Sequence, residues 1–395
     1  MRGLITPENP GDRGWLVVDD SDVLTVLVGG DVMLGRGVDQ ILPHPGDPAL
    51  REPVVRDARR YVELAEHVNG PIRRPVDWGW PWGDAAEVLA EVAPDVRLIN
   101  LETTITVSGD FADRKAVHYR MHPDNMPALT AIAPDVCALA NNHVLDFGHR
   151  GLADTCESLA AARIKGVGAG AGLEAAQRLS VLTPRAGHRV IIGSVATRSS
   201  GVPDSWAAHR DRPGLWLIRD PAERGSADDL AARVLALKRT GDVAIVSVHW
   251  GSNWGYGVGL SEVQFAHRLI DAGIDIVHGH SSHHPRPIEL YRGKPILYGC
   301  GDVIDDYEGI GGHESYRPDL RLLYLISIDC GSGDVTALRM LPLRVRRMRL
   351  ERASAIDTDW LRATMEHVSR RFDISVAAEP DGLLTVHLDA VQDCL

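Results

Sequence analysis

Short apolar, β-branched runs alternate along the chain with stretches whose apolar positions recur three and four residues apart, a pattern that predicts strands and helices in turn. Strands are predicted at VLTVLVGG (23–30), DVRLINL (95–101), DVCALA (135–140), DVAIVSV (242–248) and IDIVHG (274–279). Helices are predicted between them at 49–68, 84–92, 125–132, 151–163, 226–238 and 261–271. Beyond residue 280 the signal is mostly β: IELY, KPILYGC, RLLYLISID (321–329) and VTALRMLPLRVRRMRL (335–350). The expected fold is therefore α/β, a two-sheet sandwich flanked by helices. Residues 1–22 read as an N-terminal extension, 23–350 as the main domain, and 351–395, one helix and one strand, as a small appendage.

The chemistry lies in the residues just beyond each early strand. The five runs are succeeded by Asp31, Glu102, Asn141-Asn142-His143, His249 and His280. In open α/β sheets the carboxyl ends of strands share one rim, where ligands bind. A single acid or amide after a strand is ordinarily a turn former; five in succession predict a metal-competent rim. HGHSSHH at 278–284 adds four histidines in seven residues, with His280 and His283 as expected ligands and His278 and His284 as their support. Oxygen and nitrogen donors without thiolate suit one or two divalent ions, manganese, iron, zinc or magnesium. Asn142 offers an amide oxygen to metal and His143 a proton to a leaving group. Arg36, Arg120 and Arg286 are expected to grip an anionic or peptide-like substrate through paired hydrogen bonds, the competing reading being pairing with acids such as Asp302, Asp305 or Asp306. The chain contains no GxxxxGK[ST], GxGxxG or GxSxG signature.

Composition narrows the picture. With 395 residues, a net charge of −12 and 44% hydrophobic positions, the chain is long enough for a real core and too acidic for a general nucleic-acid binder. The basic run Arg344, Arg346, Arg347 and Arg349 reads as a solvated strand face. No apolar run approaches the ~18 residues of a membrane span, and the first twenty residues read as neither signal peptide nor anchor. Five cysteines without a CxxC pair suit reduced thiols in a cytoplasm.

GDVMLGR (30–36), NLE (100–102), YRMHP (119–123), ANNHVLDFG (140–148), HWG (249–251) and the run from 279 to 310 resemble the CapA proteins of bacterial poly-γ-glutamate capsule synthesis, within the calcineurin-like metallophosphoesterase superfamily. The resemblance spans about residues 23–330. It implies a metallophosphatase-like four-layer α/β/β/α sandwich with a metal site at one rim. It also implies ligand roles for Asp31, Glu102 (in place of a bridging aspartate), Asn142, His249, His280 and His283, and matches Asn142-His143 to the superfamily's asparagine-histidine pair; His143 and, on the residues themselves, Arg36 are expected to be catalytic. Met33 stands where the superfamily's DxH motif has its histidine, so the first ion is expected to lose a ligand. CapA members usually carry an N-terminal membrane or lipoprotein signal, which the first twenty residues lack. The implied activity is metal-dependent hydrolysis of a phosphoester or a γ-glutamyl-like amide. Acyl transfer or amide formation on the same site, and a non-catalytic metal-binding subunit of polymer assembly, are the other readings.

Overall fold

The computed structural model describes residues 22–388 except residue 186. All but the last residue of the expected N-terminal extension, and Cys394, lie outside it.

Two sheets form the centre. The first runs, in spatial order, Val376–Ala378, Leu384–Val386, Val335–Val345, Leu320–Asp329, Val23–Val32, Val96–Leu101, Val136–Ala138 and Lys165–Val167. The second runs Leu217–Ile218, His188–Thr197, Val243–His249, Ile276–His280, Lys294–Leu297 and Ile288–Tyr291. Both have a parallel centre: Val23–Val32 lies parallel to Val96–Leu101, and Val243–His249 lies parallel to both of its neighbours. Parallel ladders buried on two faces need apolar residues at both phases of the pleat, and that is how the strands are written. Leu24, Val26, Val28, Val96 and Leu98 meet Val190, Ile192, Val243, Ile245 and Ile276 between the sheets. The opposite phase, Leu27, Ile99 and Cys137, packs under Val62, Trp82, Leu89 and Leu152 from helices and turns on the outer face. Ile191, Val246 and Val277 pack under Leu230, Phe265 and Leu269 on the other side. The result is a four-layer α/β/β/α sandwich.

Four features depart from expectation. The helix expected over 49–68 begins at Arg59 and ends at Asn69; Pro53 removes a backbone donor and blocks a helix ahead of it, and Ala49 instead bridges Asp57. Two further strands, Ser180–Arg185 and His188–Thr197, form an antiparallel pair that gives the second sheet one of its long members. The C-terminal segment is no appendage. Leu384–Val386 pairs with the Val335–Val345 strand, and Leu361 and Met365 of helix Ala355–Ser369 are buried between the sheets. The arginine run after Val335 is half-buried and ion-paired rather than free in solvent, Arg344 with Asp319, Arg346 and Arg347 with Glu351, and Arg349 with Asp84.

Candidate metal centre

The strand ends of both sheets converge. Asp31 closes the central strand of the first sheet, and its Oδ1 accepts from the Asn100 side-chain amide at 2.7 Å while its Oδ2 accepts from the Ser281 backbone N–H at 3.1 Å. The same Asn100 amide reaches Glu102 Oε2 at 3.1 Å. From the second sheet, His280 Nδ1 lies 3.7 Å from Asp31 Oδ1 and 2.8 Å from His249 Nδ1. His249 Nε2 lies 3.3 Å from Asn142 Oδ1 and 3.7 Å from Glu102 Oε1. His283 Nδ1 sits 2.9 Å from Asp302 Oδ1. The structure thus gathers Asp31, Glu102, Asn142, His249, His280 and His283 around one rim, all with little or no solvent exposure except the half-buried Asn142.

His143 joins them through a separate network. Its Nδ1 is 2.7 Å from Asp146 Oδ2, and its Nε2 faces Glu102 Oε1 at 3.8 Å. Lys115 ties the far side together: its ammonium is 2.6 Å from Asp146 Oδ1, 3.0 Å from His143 Nδ1, and donates to the Asn142 carbonyl oxygen. Tyr119 packs edge-on against the His143 ring. Burial is the chief reason the imidazole's pKa falls to about 4; Asp146 works against this and Lys115 with it. His143 is therefore neutral near pH 7.

The electrostatics call for a cation. Burial, reinforced by Asp302, lifts the Asp31 carboxyl to about 7, and burial with Asp31 alongside raises Glu102 well above the carboxylate range. Burial lowers the pKa of both His249 and His280, favouring the neutral imidazole that a metal ion requires. Asp31, His249 and His280 offer ligand atoms within 4.8 Å of one another. Oxygen and imidazole donors gathered in this way are compatible with a divalent metal ion, which would offset the repulsion among the carboxylates.

The three arginines are not assembled as an anion wall. Arg36 is buried against Asp306, at 2.9 Å from its Nε, and Glu52, at 2.8 Å from its Nη1. Arg120 donates to the Ser108 and Asp47 carbonyl oxygens at 2.7 Å. Arg286 is paired with Glu262 at 3.0 Å. Burying a guanidinium demands partners, and in each case the fold supplies them internally. His278 donates to the Gly29 carbonyl oxygen, and His284 packs with Trp254 and Tyr316, both as supports.

Sequence reasoning missed Asn100, Lys115 and Asp146 and read Asp302 only as an arginine partner. A local signal for Asp302 existed: Gly301-Asp302 repeats Gly30-Asp31 after another apolar strand. The two dipeptides lie side by side, Asp31 in register with Asp302 and its N–H bonded to the Gly301 carbonyl at 3.0 Å.

The family described as "Bacterial capsule synthesis protein PGA_cap" matches residues 25–307. A probable polyglutamine synthesis accessory protein of Mycobacterium tuberculosis (strain ATCC 25618 / H37Rv) is 70% identical over 365 residues, 92% of this chain and 96% of its own. The PGA biosynthesis protein CapA of Bacillus subtilis (strain 168) is 27% identical over 287 residues, 72% of this chain and 64% of its own. Among solved structures, a phosphatase of Mycoplasma pneumoniae aligns with 82% of this chain and 94% of its own at a TM-score of 0.45 and 11% identity.

Proposed function

Because this chain belongs to the bacterial capsule synthesis protein family PGA_cap, we propose that it serves polyglutamine or poly-γ-glutamate assembly as a metal-dependent hydrolase of γ-glutamyl-like amide bonds. The observation that carries this reading is the convergence of six ligand-type side chains from two sheets beside an anchored His143. With Arg36, Arg120 and Arg286 all paired internally, none of these three guanidinium forks is free to select a phosphate, which favours the amide over the phosphoester. Among the described residues Cys137, Cys156, Cys300 and Cys330 are free thiols, which supports a reducing compartment and so a cytoplasmic location. Among the described residues no helix is long and apolar enough to cross a membrane.

In this reading Asp31, Asn142, His249 and His280 would hold one ion, and Asp31 with His283 would contribute to a second. A divalent ion in such a donor set supplies Lewis acidity toward a carbonyl or phosphoryl oxygen. The chain's own residues handle the proton. His143, neutral with its Nδ1–H on Asp146, presents a bare Nε2 to the site. It takes a proton from the attacking water there and returns it to the departing nitrogen, the two halves of general base and acid catalysis. Lys115 and Asp146 hold the ring in the orientation this transfer needs.

The test is cleavage of poly-γ-glutamate by protein loaded with Mn²⁺, Fe²⁺, Zn²⁺ or Mg²⁺, with bis(p-nitrophenyl) phosphate as the phosphoester comparison. The expected result is metal-dependent chain shortening, abolished by EDTA, and a His143→Gln variant slowed ~10²–10⁴-fold with metal content and melting temperature retained. A protein that binds metal yet cleaves neither polymer nor phosphoester would instead be a non-catalytic subunit of the assembly machinery.

A further inference from the structure

Asp302 follows the apolar run KPILYGC and Gly301, as Asp31 follows its own strand and Gly30. Parallel pairing sets it opposite Asp31, and the residue is 1% exposed. One carboxylate oxygen lies 2.9 Å from His283 Nδ1; the other is buried with no hydrogen-bond partner. Its neighbour Asp305 is already engaged by Arg321 at 2.5 Å and the Tyr307 N–H at 2.9 Å.

Building on the proposed metal centre, we infer that Asp302 is a metal ligand, and that it shares Asp31 with the His249–His280 side as a carboxylate common to two ion positions. One position comprises Asp31, His249 and His280, the other Asp31, His283 and Asp302. In each set the ligand atoms lie within 4.8 Å of one another, and Asp31 is the member they share. Glu102 lies against Asp31 and faces His249 and His143.

The nitrogen chemistry of His283 separates a ligand from a mere ring-orienting partner. Its Nε2 accepts from the Asn253 side-chain amide at 2.9 Å, so the lone pair on that side is used. The atom left for metal is Nδ1, the one beside Asp302. Two adjacent ligands of an octahedral ion with ~2.1 Å bonds lie ~3.0 Å apart, close to the spacing found here. A bound ion would take the place of the Nδ1 proton; the neutral ring would then carry its proton on Nε2, and a half-turn of the Asn253 amide would present an oxygen to receive it. Met33 does not compete: its buried sulfur accepts from the Tyr307 hydroxyl at 3.8 Å, and the Tyr307 ring packs edge-on against His283.

The experiment loads the full chain with Mn²⁺, removes free metal, and measures metal per chain together with the electron paramagnetic resonance spectrum. Wild type is expected to hold close to two ions with the exchange-coupled signal of a bridged pair. Asp302→Asn should hold close to one and show the signal of an isolated ion. Asp302→Cys provides a second readout: loaded with Co²⁺, it should gain a sulfur-to-cobalt charge-transfer absorption that wild type lacks. Two coupled ions retained in Asp302→Asn, or no such absorption in a metal-loaded Asp302→Cys, overturns the assignment. A wild type that binds no ion overturns the metal centre as a whole, a result legible without either variant.

Discussion

At Gly30 the central strand of the first sheet passes so near the Gly301 turn that a β-carbon would sit 1.7 Å from the Gly301 carbonyl oxygen. No side-chain adjustment relieves that contact, because the obstacle is backbone. The close approach is what lets Asp31 and Asp302 present their carboxylates side by side. Gly30→Ala should therefore separate the two turns and cost stability at the severe end of single substitutions, more than about 4 kcal/mol, with metal binding lost as well. Gly109→Ala is the control: its β-carbon would meet nothing within 4 Å, and a change within about 0.5 kcal/mol is expected. Urea denaturation and metal analysis of the two variants check the contrast, and equal stabilities would refute it. The same scale shows why some site residues were legible in the sequence and others not. Asp31, His249 and His280 end strongly apolar runs, so periodicity alone placed them at a rim. Asp302 is brought there by pairing between strands far apart in the chain, with the run KPILYGC and a two-residue echo as its local marks. The arginines misled for a related reason: a guanidinium near a metal motif looks available until the fold supplies Asp306, Glu52 or Glu262 from a distance.

Among the elements, helix Ala355–Ser369 shows how local capping and tertiary charge combine. Ser354 caps its N-terminus by accepting from the Asp357 N–H, and Asp357 in return accepts from the Ser354 hydroxyl and from Arg317 at 2.7 Å. Burial pushes the Asp357 carboxyl up, but the Arg317 and Ser354 hydrogen bonds outweigh it and hold the pKa below its ordinary value. A carboxylate depressed by folding stabilises the native state at pH values above its unfolded pKa, and that contribution disappears as pH falls through the folded value. Asp357→Asn should thus cost about 1–2 kcal/mol at pH 7, with the difference from wild type shrinking once the pH drops below the ordinary carboxylate range. Denaturation curves at several pH values test this; a gap that widens on acidification would reverse the sign. Strands and helices with apolar residues at both phases or along one stripe were readable in advance. The Ser180–Arg185 and His188–Thr197 pair was not: Pro184 and Gly193 interrupt the run, and partners on the second sheet, not local preference, make these residues extended.

For the molecule as a whole, the C-terminal segment belongs to the core it was expected to flank. Leu361 and Met365 are 1% and 0% exposed and fill the space between the sheets. Leu361→Ala should cost about 2–5 kcal/mol, the loss typical of a buried leucine, in a single transition that also releases metal. An independent appendage would instead show a separate early transition with the metal site intact, and calorimetry distinguishes the two. The chain's connectivity has a consequence for its synthesis. The Val23–Val32 strand lies between Val96–Leu101 and Leu320–Asp329, and the second of these neighbours is synthesised long after it. At ~5–20 residues per second it waits on the order of 15–60 s for its last neighbour, with its apolar faces uncovered. The central sheet thus closes only once Leu320–Asp329 has emerged, which makes the nascent chain a client for holding chaperones. Ribosome-stalled chains ending before Asp329 should be cut by a protease dose that the complete protein survives, and protection at that length would place closure earlier.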